Sequence, residues 1–179
     1  MSFSFFKVSS SSNEAPIDHK ESFINQFKKS DLHQWIFEDL DISRNIMYFL
    51  GRLPNEVFAY FNNGPSLAFL YSSGSYSCAI PNLDEHHTIL IFPETIKMLK
   101  AADPGHAFAI LAHELGHICL DPVDRYMSSI EKQLEADEFS AKIGYKVELI
   151  DFLENQEEMH LEIKMRLKEL YSSKALVDQ

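Results

Sequence analysis

Between Ala107 and Leu120 the chain reads AFAILAHELGHICL, a run whose only ionisable groups besides the Cys119 thiol are His113, Glu114 and His117. A helix made of this run has no charged face to turn towards water, so it belongs inside a core. Pro104 is placed to start it, and the DPVD at 121–124 to end it. Cys119 reads as plain packing. Buried charge without a partner is expensive, and three polar groups within five positions need a shared reason to be there.

Their spacing supplies one. Residues four apart lie on one helix face, so His113 and His117 can present ring nitrogens to a single ion. Glu114 is rotated by about 100° from His113, which removes it from that pair but leaves it able to reach a water at the metal, as a general base must. Chance HExxH patterns usually fall on charged surface helices, and this one does not. Of the other histidines, His86 and His87 read as a solvated pair in the loop PNLDEHH, and His106 as a surface residue at the mouth of the helix.

The rest of the chain sets the frame. Its 179 residues, 45% hydrophobic, can bury one substantial core, giving a flexible Ser-rich lead over 1–16 and a single domain over 17–179. With 16 Lys+Arg against 27 Asp+Glu the net charge is −11, and no basic cluster exists to meet nucleic acid or an anionic membrane surface. No stretch has the length of a membrane span, MSFSFFKVSSSSNE lacks a signal-peptide core, and the two cysteines, Cys78 and Cys119, form no disulfide framework. A cytoplasmic protein is expected. Helical periodicity covers 17 to 50 as two helices. VFAYF, SLAFLY, YSCAI and HTILIF then read as strands of a small, mostly antiparallel sheet, and helices resume after Pro93. The order gives an α+β fold: N-terminal helices, sheet, active-site helix and C-terminal helices.

A hydrolytic zinc site needs a third protein ligand, and SSIEKQLEADEFSAKIG at 128–144 is the region to search. At 100° per residue from Met127, Glu131, Glu135, Glu138 and Lys142 cluster between about 20° and 80°, while Gln133, Asp137, Ser140 and Gly144 fall between about 220° and 280°. The first set is a solvated charged face. The second, flanked by apolar residues, is the face able to complete a buried site, so Gln133 points inward and Glu135 reaches the metal only if the helix is rotated or interrupted.

HELGH followed some twenty residues later by QLEADEFSAKIGY, and then by His160 and Arg166 in HLEIKMRLKEL, resembles the gluzincin metallopeptidases of the HtpX-like and CAAX-prenyl-processing type. The likeness runs from about residue 77 to 171. It implies a zincin-like fold, one Zn2+, and a peptide or protein substrate paired with an edge strand, YSCAI or HTILIF. It further implies that His113 and His117 are zinc ligands, that Glu114 is the base, that Asp137 supports a zinc-bound histidine, and that His160, with Arg166, stabilises the oxyanion; Tyr126 is a further possible donor. Two positions depart from the pattern. Gln133 stands where the family has its ligand glutamate, and Leu161 where it has a proline. An amide oxygen is a neutral, weaker donor for zinc, so His160 or Asp137 acting as an additional ligand is the alternative way to complete the site. The competing expectation is a catalytically weak or inactive relative serving as a binding or regulatory module.

Overall fold

The computed structural model describes residues 18–74, 77–83, 86–120, 128–156 and 160–173. The lead at 1–16, the DPVD at 121–124 and Tyr126 lie outside them. The N-terminal part is helical, in more pieces than the periodicity indicates: α1 (His19–Lys29), a 3-10 turn (Asp31–His33), the single turn α2 (Gln34–Phe37) and α3 (Leu40–Gly51). Asp18 and Asp39 cap α1 and α3 by accepting backbone N–H bonds. His33, at the break, is buried and uses both ring nitrogens on backbone: Nδ1–H donates to the Phe27 carbonyl at 2.8 Å and Nε2 accepts from Phe69 N–H at 3.2 Å. Burial keeps its pKa below the ordinary histidine value, as the bonding requires, since a proton on Nε2 would face another donor.

VFAYF is not a strand. It forms α4 (Asn55–Asn62), with Val57, Phe58 and Phe61 buried together on one face. Pro54, just before it, starts a helix, and the aromatic content that suggested a strand serves the core equally well. The three strands are β1 (Ser66–Tyr71), β2 (Ser77–Leu83) and β3 (His86–Ile91), in the order β1-β3-β2. The expected run of hairpins is corrected here. β3 pairs antiparallel with β2 but parallel with β1, so the sheet is mixed. Burial explains it. Leu67–Phe69 and His87–Ile89 are consecutive buried residues, as in strands covered on both faces, whereas Ser77–Pro81 are exposed or half-buried and Pro81 restricts β2 to an edge. His86 and His87 therefore lie in the central strand, not in a loop. His87 is 2% exposed and its Nε2 lies 3.2 Å from the Tyr60 hydroxyl.

After α5 (Pro93–Leu99) comes α6 (Gly105–Cys119), on which every residue except Gly105, His106 and His117 is buried. It packs against α5, α7, α8, β2 and β3. Leu111, Leu115 and Ile118 are almost completely enclosed, each contributing about 1.5–3 kcal/mol of apolar burial. Cys119 belongs to the same core. Tyr60 ties the C-terminal end of α6 to the layer beneath by donating to the Ile118 carbonyl at 3.2 Å. α7 (Ser129–Ser140) begins with a capping box between Ser128 and Glu131. A π-turn at Ala141–Tyr145 joins it to α8 (Lys146–Glu154), and α9 (Leu161–Ser172) follows. Among the described residues no helix is long and apolar enough to cross a membrane.

Candidate metal centre

The imidazoles of His113 and His117 converge. Their Nε2 atoms are 3.1 Å apart, with the ring planes at 87°. Two nitrogens bound tetrahedrally to one zinc at about 2.0–2.1 Å would stand about 3.3 Å apart, so the pair matches two corners of such a site. Asp137 fixes the tautomer of His113: its Oδ1 lies 2.7 Å from Nδ1, so that Nδ1 carries the proton and Nε2 the free lone pair. His117 is held neutral, its pKa lowered to about 4 by burial first and by His113 second. A neutral ring is the form that ligates a metal.

Asp137 is in turn held by Arg166 from α9, through two bonds of 2.7 Å from Nε and Nη2. Burial opposes charge on this carboxyl, but its bonds to His113 and Arg166 outweigh that and keep its pKa below the usual range. The result is a chain from α9 through α7 to α6 that orients one ring nitrogen.

Glu114 reaches the same cavity from its rotated position. Oε1 accepts from the Ser77 hydroxyl at 3.2 Å, and the backbone of Ala79 contributes a further bond. Burial raises its pKa above the ordinary glutamate value, partly offset by His113 and Ser77. The cavity, of about 410 Å³, has β2 along one side through Ser77, Cys78 and Ala79, and an apolar wall of Ile110, Leu149 and Phe152. His113, Glu114, His117, Gln133 and Arg166 supply its polar lining.

Gln133 is half-buried and lies on the cavity wall. Glu135 is not among the residues lining the cavity, and partial burial and then the carboxylates of Glu138 and Glu131 raise its pKa. Asp137 is committed to His113 and Arg166. His160 stands exposed at the N-cap of α9 and is not part of the cavity lining, whereas Arg166, six residues on, is. The oxyanion role anticipated for His160 thus has no support in the geometry, because the start of α9 faces solvent while its second turn packs on α7. Among the described residues no three of His, Cys, Asp and Glu gather as a metal site. The two imidazoles present nitrogen donors to the cavity, and the neutral Gln133 amide lines the same cavity.

Sequence reading did not find Ser77, Leu149 or Phe152. Nothing local marks them, since their roles depend on β2 and α8 closing over α6.

Gly116 has a packing reason. A Cβ there would lie 2.8 Å from Ala136 Cα, 3.0 Å from Ala136 O and 3.1 Å from Phe139 Cβ, so α6 and α7 meet at this glycine. Gly116→Ala is expected to push α7 away and cost about 1–3 kcal/mol, measured by urea denaturation, with Gln133 and Asp137 displaced from the histidines. An alanine variant of parental stability would show that the helices are not packed this closely.

Comparison with family models, with curated proteins and with solved structures finds no match.

Proposed function

We propose that the chain is a zinc-dependent peptidase of zincin-like architecture, with His113, His117 and the Gln133 amide oxygen as ligands and Glu114 as general base. The observation that carries this reading is the convergence of the two Nε2 atoms, one of them backed by a buried carboxylate, beside a buried glutamate in a cavity bordered by an edge strand. A zinc ion held there supplies Lewis acidity, bringing the proton loss of a water to about pH 7 and polarising a carbonyl. Glu114 takes that proton and delivers it to the departing amine nitrogen. Arg166, anchored by Asp137, presents its guanidinium to the cavity as a donor to carbonyl oxygen. The substrate is an extended peptide lying along β2, the sheet edge beside the centre; β3 is central and unavailable for such pairing.

The neutral Gln133 favours a second reading, in which the fold binds peptides without turnover. Zinc content of the purified protein, measured beside Gln133→Glu and together with cleavage of a peptide library, separates the two. Stoichiometric zinc and cleavage in the parent are expected, with tighter retention against a chelator in Gln133→Glu, since a carboxylate is the stronger donor. Zinc in the variant alone would assign the natural protein to the binding class. Zinc in neither would end the peptidase reading.

A further inference from the structure

The outer edge of β1 is closed by two side chains. β1 stands at the end of the sheet, with β3 on one side. Ser72 N–H donates to the Ile91 carbonyl at 3.0 Å, so Ala68 and Leu70 turn their backbone groups to β3 and Phe69 turns its own outward. Both outward groups are taken. Phe69 N–H donates to His33 Nε2 at 3.2 Å, and the Phe69 carbonyl accepts from Trp35 Nε1–H at 3.1 Å. The 3-10 turn and α2 thus do for β1 what another strand would do.

His33 can hold its place in one form. The Phe27 carbonyl, 2.8 Å from Nδ1, can only accept, so the proton sits on Nδ1 and Nε2 is left to accept from Phe69. The ring is 1% exposed and stacked on Phe27 with centres 3.7 Å apart, so a second proton would be set against an N–H and away from water. Its surroundings do not compensate. His86, across the small cavity that both line, also disfavours a charge there, and its Nδ1 lies 2.5 Å from the Ser66 hydroxyl. On α1, Lys28 and Lys29 are exposed; on the turn itself Asp31 is exposed and accepts from Gln34 at 3.2 Å; on β1, Tyr71 lies against Trp35. Opening at this point need not unfold the core. Ser30 and Asp39, in extended backbone, bracket the turn and α2, α1 and α3 carry their own caps, and the fully enclosed Ile36 keeps α2 attached.

We propose that His33 is a proton-operated clasp on the sheet: in mildly acidic solution its ring takes a second proton, lets go of Phe69 N–H and opens the outer edge of β1 while the core stays folded. An open edge offers its backbone groups to another extended segment. Burial makes the enclosed ring hold the second proton less tightly than a free one, so the clasp is at full strength above about pH 6.5 and weakens as the pH falls below it. The clasp does not depend on the zinc reading, because neither His33, Trp35 nor Phe69 lines the metal centre.

Acid titration of the full chain from about pH 8 to about pH 5, where ordinary carboxylates stay charged, tests it. Trp35 is the only tryptophan, so its fluorescence reports the clasp directly, and the His33 ring is followed by NMR. The emission is expected to change together with the His33 ring, while far-UV circular dichroism stays constant. Protection of the Phe69 amide from hydrogen exchange is expected to fall by up to about tenfold per pH unit below about 6.5, the slope of one linked proton, while amides of α6 keep theirs. His33→Gln, whose amide can donate to Phe27 and accept from Phe69 at every pH, is expected to lose this dependence. His117 also charges in acid, and comparing parent with variant separates its contribution. The proposal is overturned if Phe69 protection in the parent does not change with pH, if the α6 amides lose protection with the same slope, or if a folded His33→Gln keeps the parental slope. The first two readings come from the parent and hold even where the variant does not fold.

Discussion

Replacing Glu114 with Gln is expected to remove peptide hydrolysis, by at least about 10²–10⁴-fold, while leaving zinc content unchanged. The substitution keeps shape and volume, and Oε1 can still accept from Ser77. What it removes is the only side chain on α6 that borders the cavity, lies outside the histidine pair and can take a proton. Stability should not suffer. In the metal-free chain burial raises the Glu114 pKa, so the folded state binds that proton more tightly than the unfolded state does. The buried carboxylate therefore detracts from stability once the pH passes the unfolded value of about 4.3, and at neutral pH the amide is expected to melt no lower than the parent. Zinc analysis, thermal melting and mass spectrometry of a peptide digest check the three parts. Hydrolysis retained alongside zinc would rule out Glu114 as the base.

What could be read in advance follows from the range of the forces involved. α6 was legible because its lack of charge admits only a buried helix, and the spacing of its histidines is a property of the helix itself. The two faces of α7 were legible for the same reason: periodicity alone puts Gln133 and Asp137 opposite Glu131, Glu135 and Glu138. Pro81, which the sequence reading left in the loop PNLDEHH, lies within β2, where its missing N–H suits an edge. The sheet order was not legible, because short apolar runs such as SLAFLY and HTILIF do not state which neighbour they pair with, and β3 enters between β1 and β2 only through long-range packing. Phe58 and Phe61 misled for a related reason, since an aromatic cluster serves a helix face and a strand equally. His87 looked solvated within PNLDEHH and became buried because Tyr60, far along the chain, offers it a partner. At α9, the His160 and Arg166 pattern marked the right helix but not which of its turns faces the centre.

That distinction gives Arg166 the second large effect. Asp137 is 1% exposed, and among the described residues Arg166 is its cationic partner, with the His113 Nδ1–H as a further donor. Arg166→Leu is expected to destabilise the chain by about 3–5 kcal/mol, because removing one partner of a buried ion pair leaves the other charge without compensation. Asp137 would then hold a proton more readily, and zinc retention should fall along with stability, since a neutral carboxyl no longer backs the Nδ1–H of His113. Removing the charge as well as its partner is less costly, so the double variant Asp137→Asn with Arg166→Leu is expected to recover much of the lost stability. It should not recover zinc binding, because the asparagine no longer holds the Nδ1–H of His113 with a carboxylate. Urea denaturation of both single variants and the double variant, each with zinc analysis, yields the coupling directly. Additive losses would mean that Arg166 and Asp137 act independently, and the chain from α9 to the metal face of α6 would have no energetic substance.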